Sequence, residues 1–501
     1  MVRQQMLCIV TPRWPGQSRV AQSLAGDFDA LFTALGSVHF ASLALLPPPA
    51  GDGCPALPHL MLEITIDEGL PIPVLLDQLV ARGLDLLWQV YGSYQIGQLA
   101  DEPAARAAWL RALLARHLSE ANCAFVGARD RTVRQIHAEH DLYNRARAQA
   151  IALTATDRIE SDWLARKLAD WALATRQFDW ARFPAPRCFW RAGGLRRILG
   201  GVAVLIALAV GLFVLNFTWQ IVGRVLTLPQ GLAWFWLGLG WVLKVLISTA
   251  VVALGAMLLA IVGLEVLTQL AAWGRRLGLW LDRWHRKQHV RTAFEVPRAH
   301  QVHASVLACE AALRGRPNHI ISLTDVRSPQ RWHAFWLRFF LAVISWLGVV
   351  QFVHGLLGKA SGIKYGHWHV IDGGRRLLFC SNYDGAFGGY LDEFIAGATV
   401  GVNLFWGRTH LQTRSAAATG QPAVTMARDF PPRRYAAWHG GCEHEQAFKA
   451  YARDSMLPHL YVFQAYWWPQ GEIERATRLR DALFGPRNAV NDEALARALE
   501  S

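Results

Sequence analysis

His367, His369, Asp384, Arg408 and His410 are the residues whose types and spacing point most directly to chemistry. The two histidines fall in Lys364-Tyr365-Gly366-His367-Trp368-His369, an extended apolar stretch. Alternate side chains of a strand share a face, so both imidazoles point the same way, into a core or out to solvent. Asp384 closes the next apolar run in Asn382-Tyr383-Asp384-Gly385, and Arg408 and His410 follow a later one at 400–406. A carboxylate, a guanidinium and imidazoles brought together at one strand end could bind a ligand or move protons. The plainer reading is that Asp and Gly shape a turn and that the histidines are packed or exposed without function. His439-Gly440-Gly441-Cys442-Glu443-His444 also carries metal-capable groups, but its spacing matches no established zinc pattern and a fourth ligand is missing. The sequence contains no Gly-rich phosphate loop, HExxH or GxSxG motif.

The elements that must position these residues occur twice. The first copy reads as a strand at 6–11, a helix at 20–35, strands at 38–45 and 60–66, helices at 74–82 and about 103–119, and a last strand at 121–127. The second reads as a strand at 319–326, a long helix at 332–357, strands at 365–371 and 375–381, a helix at 389–396 and a last strand at 400–406. Both follow the β-α-β-β-α-β order of a ferredoxin-like unit. Each sheet would have one face under its own helices and one face bare, and packing the bare faces together buries both. The expected fold is therefore α+β, tandem ferredoxin-like repeats forming a pseudo-dimeric α+β barrel, interrupted by a transmembrane helical hairpin. Its parts are a first repeat at 1–130, a helical connector at 131–196, the hairpin at 197–273, a basic connector at 274–316, a second repeat at 317–410 and a mostly helical extension at 411–501. A binding pocket is expected in the second repeat, near the end of its third strand. There Asp384→Ala should abolish binding or activity while Asp67→Ala does little, unless the turn is architectural.

The hairpin follows from composition. Of 501 residues 52% are apolar and 18% charged, and 22 are Trp, against about 25% charged in ordinary soluble domains. Residues 198–215 and 245–264 carry no charge, and about 20 such residues cross a bilayer as a helix. Arg182, Arg187, Arg191, Arg196 and Arg197 precede the first run, and Arg275, Arg276, Arg283, Arg286, Lys287 and Arg291 follow the second. The positive-inside rule then predicts spans at about 198–222 and 245–270 in a bacterial inner membrane, with both termini cytoplasmic. The net charge of +13 follows from that topology and from membrane lipid as a partner; nothing suggests nucleic acid. Seven scattered cysteines without a CxxC fit a reducing compartment. Helix 332–357, aromatic over most of its circumference, is read either as core or as lying in the membrane interface.

The strand 363–370 and three strings resemble a bacterial group found near, or fused to, dye-decolorizing-peroxidase-like proteins. The strings are Asn318-His319-Ile320-Ile321-Ser322-Leu323, Arg375-Arg376-Leu377-Leu378-Phe379-Cys380-Ser381-Asn382-Tyr383-Asp384-Gly385 and Tyr390-Leu391-Asp392-Glu393-Phe394-Ile395. The likeness covers the repeats and leaves out the hairpin. That group shares the duplicated barrel, and its strand motif reads Ile-His-Phe-Ala-Arg-Trp. The first repeat keeps His39-Phe40-Ala41 with Ser42 for Arg, and the second has Lys364-Tyr365-Gly366-His367-Trp368.

The resemblance implies a haem-dependent, peroxidase-like oxidoreductase acting on a hydrophobic or lipid-derived small molecule. Asp384 would be the distal acid, Arg408 the distal cation, and His367, His369 or His410 the iron ligand. The alternative function is a non-catalytic membrane scaffold or sensor that presents the barrel to a lipid or a partner enzyme.

Overall fold

A computed structural model describes residues 4–12, 23–48, 58–67, 70–92, 102–128, 130–154, 161–182, 304–350, 362–412, 428–434 and 437–485, with Leu239, Gly240, Leu243 and Leu277. The chain divides into two units, Met1–Cys188 with Thr292–Ser501, and Phe189–Arg291. Of the second unit only those four residues are described, all helical.

The first repeat runs β1 (Gln5–Pro12), α1 (Ala25–Leu35), β2 (Val38–Leu46), β3 (His59–Ile66), α2 (Ile72–Tyr91), α3 (Pro103–His117), β4 (Leu118–Glu120) and β5 (Cys123–Val126). It continues into α4 (Val133–Thr154) and α5 (Ser161–Ala174), and α6 (Ala304–Ala312) precedes the second repeat. That repeat runs β6 (Asn318–Val326), α7 (Gln330–Val350), β7 (Ile363–Ile371), β8 (Arg376–Tyr383), α8 (Phe387–Gly397), α9 (Thr399–Phe405), β9 (Thr409–Leu411) and β10 (Arg428–Asp429). After the short pair β11 (Arg433–Arg434) and β12 (His439–Gly440) come α10 (Glu445–Ser455), β13 (His459–Gln464) and α11 (Gln470–Phe484).

The two main sheets are antiparallel, ordered β13-β2-β3-β1-β4 and β10-β9-β6-β8-β7-β5. Strand alternation gives each an outer face under helices: Leu43, Leu62 and Ile64 pack with Phe28, Leu75 and Leu79, and Leu377 and Phe379 pack with Leu337, Leu341 and Phe394. The inner faces share one apolar cluster, in which Cys8, Ala44 and Met61 meet Ile321, Leu378 and Cys380. Burying each such Leu, Ile or Met contributes about 1.5–3 kcal/mol, so the bare faces hold one another.

Backbone hydrogen bonds join the sheets at both edges. Residues 118–126 pass from β1 to β7: Ala121 N donates to Met6 O at 3.1 Å and Asn122 N to Trp368 O at 2.8 Å. A Cβ on Gly127 would run into the Ile363 carbonyl oxygen, so glycine permits this close approach. On the other side Leu457 N donates to Ile321 O at 2.8 Å, Met456 bridges Ser322, and β13 then pairs with β2. Strands thus form a closed ring, and the two crossing segments are the fourth strands of the two repeats.

Three expectations need correction. Among the described residues no helix is long and apolar enough to cross a membrane. The transmembrane hairpin and the multi-pass membrane location are therefore withdrawn from the fold, and the spans expected within 198–222 and 245–270 lie outside the described residues apart from the isolated positions named above. The last strand expected at 400–406 is helix α9, and the true fourth strand of the second repeat lies at 459–464, inside the expected helical extension. Helix α7 packs Ala334, Leu337 and Leu341 into the core while Trp332, Phe335 and Phe339 stay exposed.

Candidate functional site

The ring's interior is polar at its centre. Inward alternation places Cys8 of β1, Ser42 of β2 and Glu63 of β3 opposite His319 of β6, His367 and His369 of β7 and Cys380 of β8. Glu63 is 1% exposed and lies across the interior from the second repeat. Its Oε2 accepts from Ser42 Oγ at 2.6 Å, and its Oε1 is 2.6 Å from His367 Nε2. His367 Nδ1 is in turn 2.9 Å from His369 Nε2, so a hydrogen-bonded line runs from β3 through both histidines. His319 Nε2 lies 3.2 Å from Glu63 Oε2 but off the line of a hydrogen bond, leaving its bonding capacity unspent. The other nitrogen, Nδ1, is 3.0 Å from Asn382 Oδ1.

Register shows how the duplication was used. Glu63 pairs with Cys8 and Ser42, whereas Cys380 pairs with Ile321 and His367. Ser42 therefore stands where His367 stands, and Glu63 where Cys380 stands. The first repeat supplies the carboxylate, and the second supplies the imidazoles and a thiol.

Burial opposes a charge on Glu63, but His319 and His367 outweigh it and hold the carboxyl well below its ordinary range. Burial, then the neighbouring His367, pushes His369 down to about 3, so it is neutral near pH 7. Burial, then Glu63, holds the thiols of Cys8 and Cys380 well above their usual value. Only a cation placed among them would make a thiolate favourable here. The ligand atoms of Glu63, His367 and Cys380 all lie within 4.8 Å of one another. A tetrahedral ion with bonds of about 2.0–2.3 Å needs donors roughly 3.3–3.8 Å apart, a small contraction from that spread.

One end of the ring repeats a second device. Both β2 and β7 carry a register shift, between Val38 and Phe40 and between Ile363 and Tyr365, so His39 and Lys364 are equivalent. Each pairs with the aspartate that follows the third strand: His39 Nε2 is 2.7 Å from Asp67 Oδ1, and Lys364 Nζ is 3.2 Å from Asp384 Oδ1. Each aspartate also accepts a backbone N–H at a helix start, Asp67 from Val133 of α4 and Asp384 from Gln470 of α11.

The residues singled out from the sequence fall in three places. His367 and His369 belong to the Glu63 centre. Asp384 serves Lys364 and the start of α11. Arg408 lies 4.9 Å over the Phe340 ring, and His410 is on β9 opposite Asp325 and Asp429. They do not converge. The histidines bond to groups that fill the interior rather than facing an open slot, and neither the expected distal acid nor the expected distal cation is beside them. These residues do not fit a haem. In the loop at 439–444, His439 Nδ1 is 2.5 Å from Glu443 Oε2, which also accepts from Gly440 N. Glu63, Cys380 and His319 are the residues that sequence reading missed; the signal for Glu63 was a lone charge at an inward position of the apolar string Leu60-Met61-Leu62-Glu63-Ile64.

His459 of β13 gives a test of this interior. Burial, then His319, pushes it down to about 3, against about 6.5 for an unfolded histidine. Above that value both states are neutral; below it only the unfolded chain takes up the proton, so stability falls as pH falls. His459→Phe should flatten urea-unfolding stability between pH 6 and 4 by about 1 kcal/mol per pH unit. An unchanged slope would mean that His459 is already protonated in the fold.

Compared with protein-family models, curated proteins and solved structures, the chain matches none.

Proposed function

We propose that this is a metal-binding protein whose ring interior takes one divalent first-row transition ion. The observation that carries the reading is the buried meeting of Glu63, His367 and Cys380, drawn from both repeats, with ligand atoms within 4.8 Å of one another. His319, whose Nε2 lies 3.2 Å from the same carboxylate but outside the set of mutually close ligand atoms, would serve as a fourth donor only by moving inward. Two imidazoles, a carboxylate and a thiolate form a mixed set suited to zinc, cobalt, iron or copper rather than to magnesium or calcium. His369 and Ser42 would orient the ligands from behind through the bonds they already make to His367 and Glu63. Side chains of both sheets enclose the centre, which suits an ion held for structure, sensing or electron transfer better than one open to bulk substrate. Binding would release the Cys380 proton.

The test is metal content and affinity of the purified full chain. One ion per chain is expected, and the cobalt(II) form should show a thiolate charge-transfer band that Cys380→Ser removes. Cys380→Ser and His319→Asn should each weaken binding by at least about 10–100-fold, the loss that even an outer-shell partner causes. Folded protein that takes up no stoichiometric metal, or unaltered affinity in both variants, would sink the reading.

A further inference from the structure

The end of the ring that carries the bulges holds a buried constellation with its own bonding. Tyr365 Oη is 2.9 Å from His39 Nδ1 and 3.1 Å from Tyr466 Oη, and Tyr466 Oη is 3.0 Å from the same nitrogen. The other nitrogen of His39 faces Asp67 Oδ1 at 2.7 Å. An ionised Asp67 fixes the proton of a neutral His39 on Nε2. Nδ1 then presents a lone pair to two phenols. Tyr365 and His39 are fully buried and Tyr466 is 3% exposed, while the Asp67 side chain is 15% exposed, so a buried phenol and base stand in line with a carboxylate nearer the surface.

Packing alone does not ask for this. The matching bulges make Phe40 the equivalent of Tyr365, and Phe40 fills the same apolar cluster without a hydroxyl. Burial raises both phenols well above their ordinary range, so neither gives up its proton as a simple acid. Loss of an electron changes that balance, because an oxidised phenol is a strong acid and passes its proton to the nearest base.

We propose that Tyr365 and Tyr466, with His39 and Asp67, form a redox-active tyrosine site that gives one electron to a one-electron oxidant. The phenolic O–H bond breaks, the proton goes to His39 Nδ1, the electron goes to the oxidant, and a neutral phenoxyl radical remains. The site gains one positive charge, held on the His39 imidazolium against Asp67, and the oxidant loses one; re-reduction reverses both transfers. Tyr365 and His367 lie two residues apart on the inward face of β7, so an oxidised metal at the Glu63 centre is a suitable acceptor. The site itself needs no metal.

The test uses the metal-free full chain with a photo-generated ruthenium(III) polypyridyl complex as oxidant. Radicals are followed by their optical band and electron paramagnetic resonance. The chain has 10 Tyr and 22 Trp, so the signal is assigned by difference. The wild type should give a long-lived phenoxyl radical whose yield does not change between pH 6 and 8, because the proton stays inside. Y365F/Y466F, which keeps both rings, should lose that radical. His39→Gln should slow its formation by about 10²-fold, the usual worth of a placed base, and make the yield pH-dependent. A radical that persists unchanged in Y365F/Y466F, or the same rate and pH profile in folded His39→Gln, would overturn the proposal. Because no metal is present, either result is independent of the metal-binding reading.

Discussion

Glu63→Ala should cost about 3–5 kcal/mol of unfolding free energy in the metal-free protein, the loss typical of removing one partner from a buried ionic cluster. The carboxylate accepts from Ser42 and His367 and lies 3.2 Å from His319 Nε2. Alanine would leave those groups facing a void, and each buried donor left unmade adds its own penalty. Against a total of about 5–15 kcal/mol for a folded domain, such a loss removes much of the margin. Glu63→Gln keeps the volume and one acceptor oxygen but turns an NH₂ toward a second donor. It should cost less, about 1–3 kcal/mol. Urea unfolding followed by Trp fluorescence measures both. A Glu63→Ala loss below about 1 kcal/mol, the worth of one ordinary hydrogen bond, would show that the histidines hold the interior without the carboxylate.

Much of the fold was legible because most strands and helices carry their own periodicity. The alternation in β1, β2, β3, β6, β7 and β8 and the amphipathic runs of α1 and α8 mark each element within about five residues, whereas α2 runs nine residues past the end expected at 82. The fourth strand of the second repeat was not legible, because residues 400–406 form a short apolar run that a buried helix or a strand can equally use. The chain takes the helix there, and β13 arrives some fifty residues later, after α9, β9 and α10. The histidine half of the centre could be found from sequence, since His367 and His369 share a strand face. The carboxylate half could not, because the pairing of Glu63 with His367 depends on how two sheets face one another, which no local pattern encodes. The apolar runs at 198–215 and 245–264 illustrate a different limit: composition suggested spans, and no described helix has the required length and apolarity.

Asp384→Ala should be at least as damaging as Glu63→Ala, and clearly worse than Asp67→Ala, although the two aspartates are equivalent by register. Both cap a helix start, Asp384 at Gln470 and Asp67 at Val133, and loss of a cap costs about 1 kcal/mol in each case. The difference lies in the partner. Lys364 is 1% exposed and loses its direct ion pair, keeping the Trp468 carbonyl oxygen and the face of the Tyr466 ring, and a buried ammonium without its ion-pair partner costs about 3–5 kcal/mol. His39 keeps its phenol contacts and loses one hydrogen-bond partner, so Asp67→Ala should cost only about 1–3 kcal/mol. Burial already lowers the pKa of Lys364, with Asp384 and more weakly Glu472 pulling the other way, and removal of Asp384 leaves only Glu472 against burial. The folded-state pKa then falls further below the unfolded one, the unfolded chain binds more protons in the window between them, and stability must rise with pH. Asp384→Ala should therefore regain stability between pH 7 and 10, which the wild type would do far less. Adding Lys364→Met should restore most of the loss at pH 7, a coupling of at least about 1 kcal/mol in a double-mutant cycle. Equal costs for the two aspartates, or no rescue by methionine, would mean that the helix caps and not the buried ammonium set the penalty.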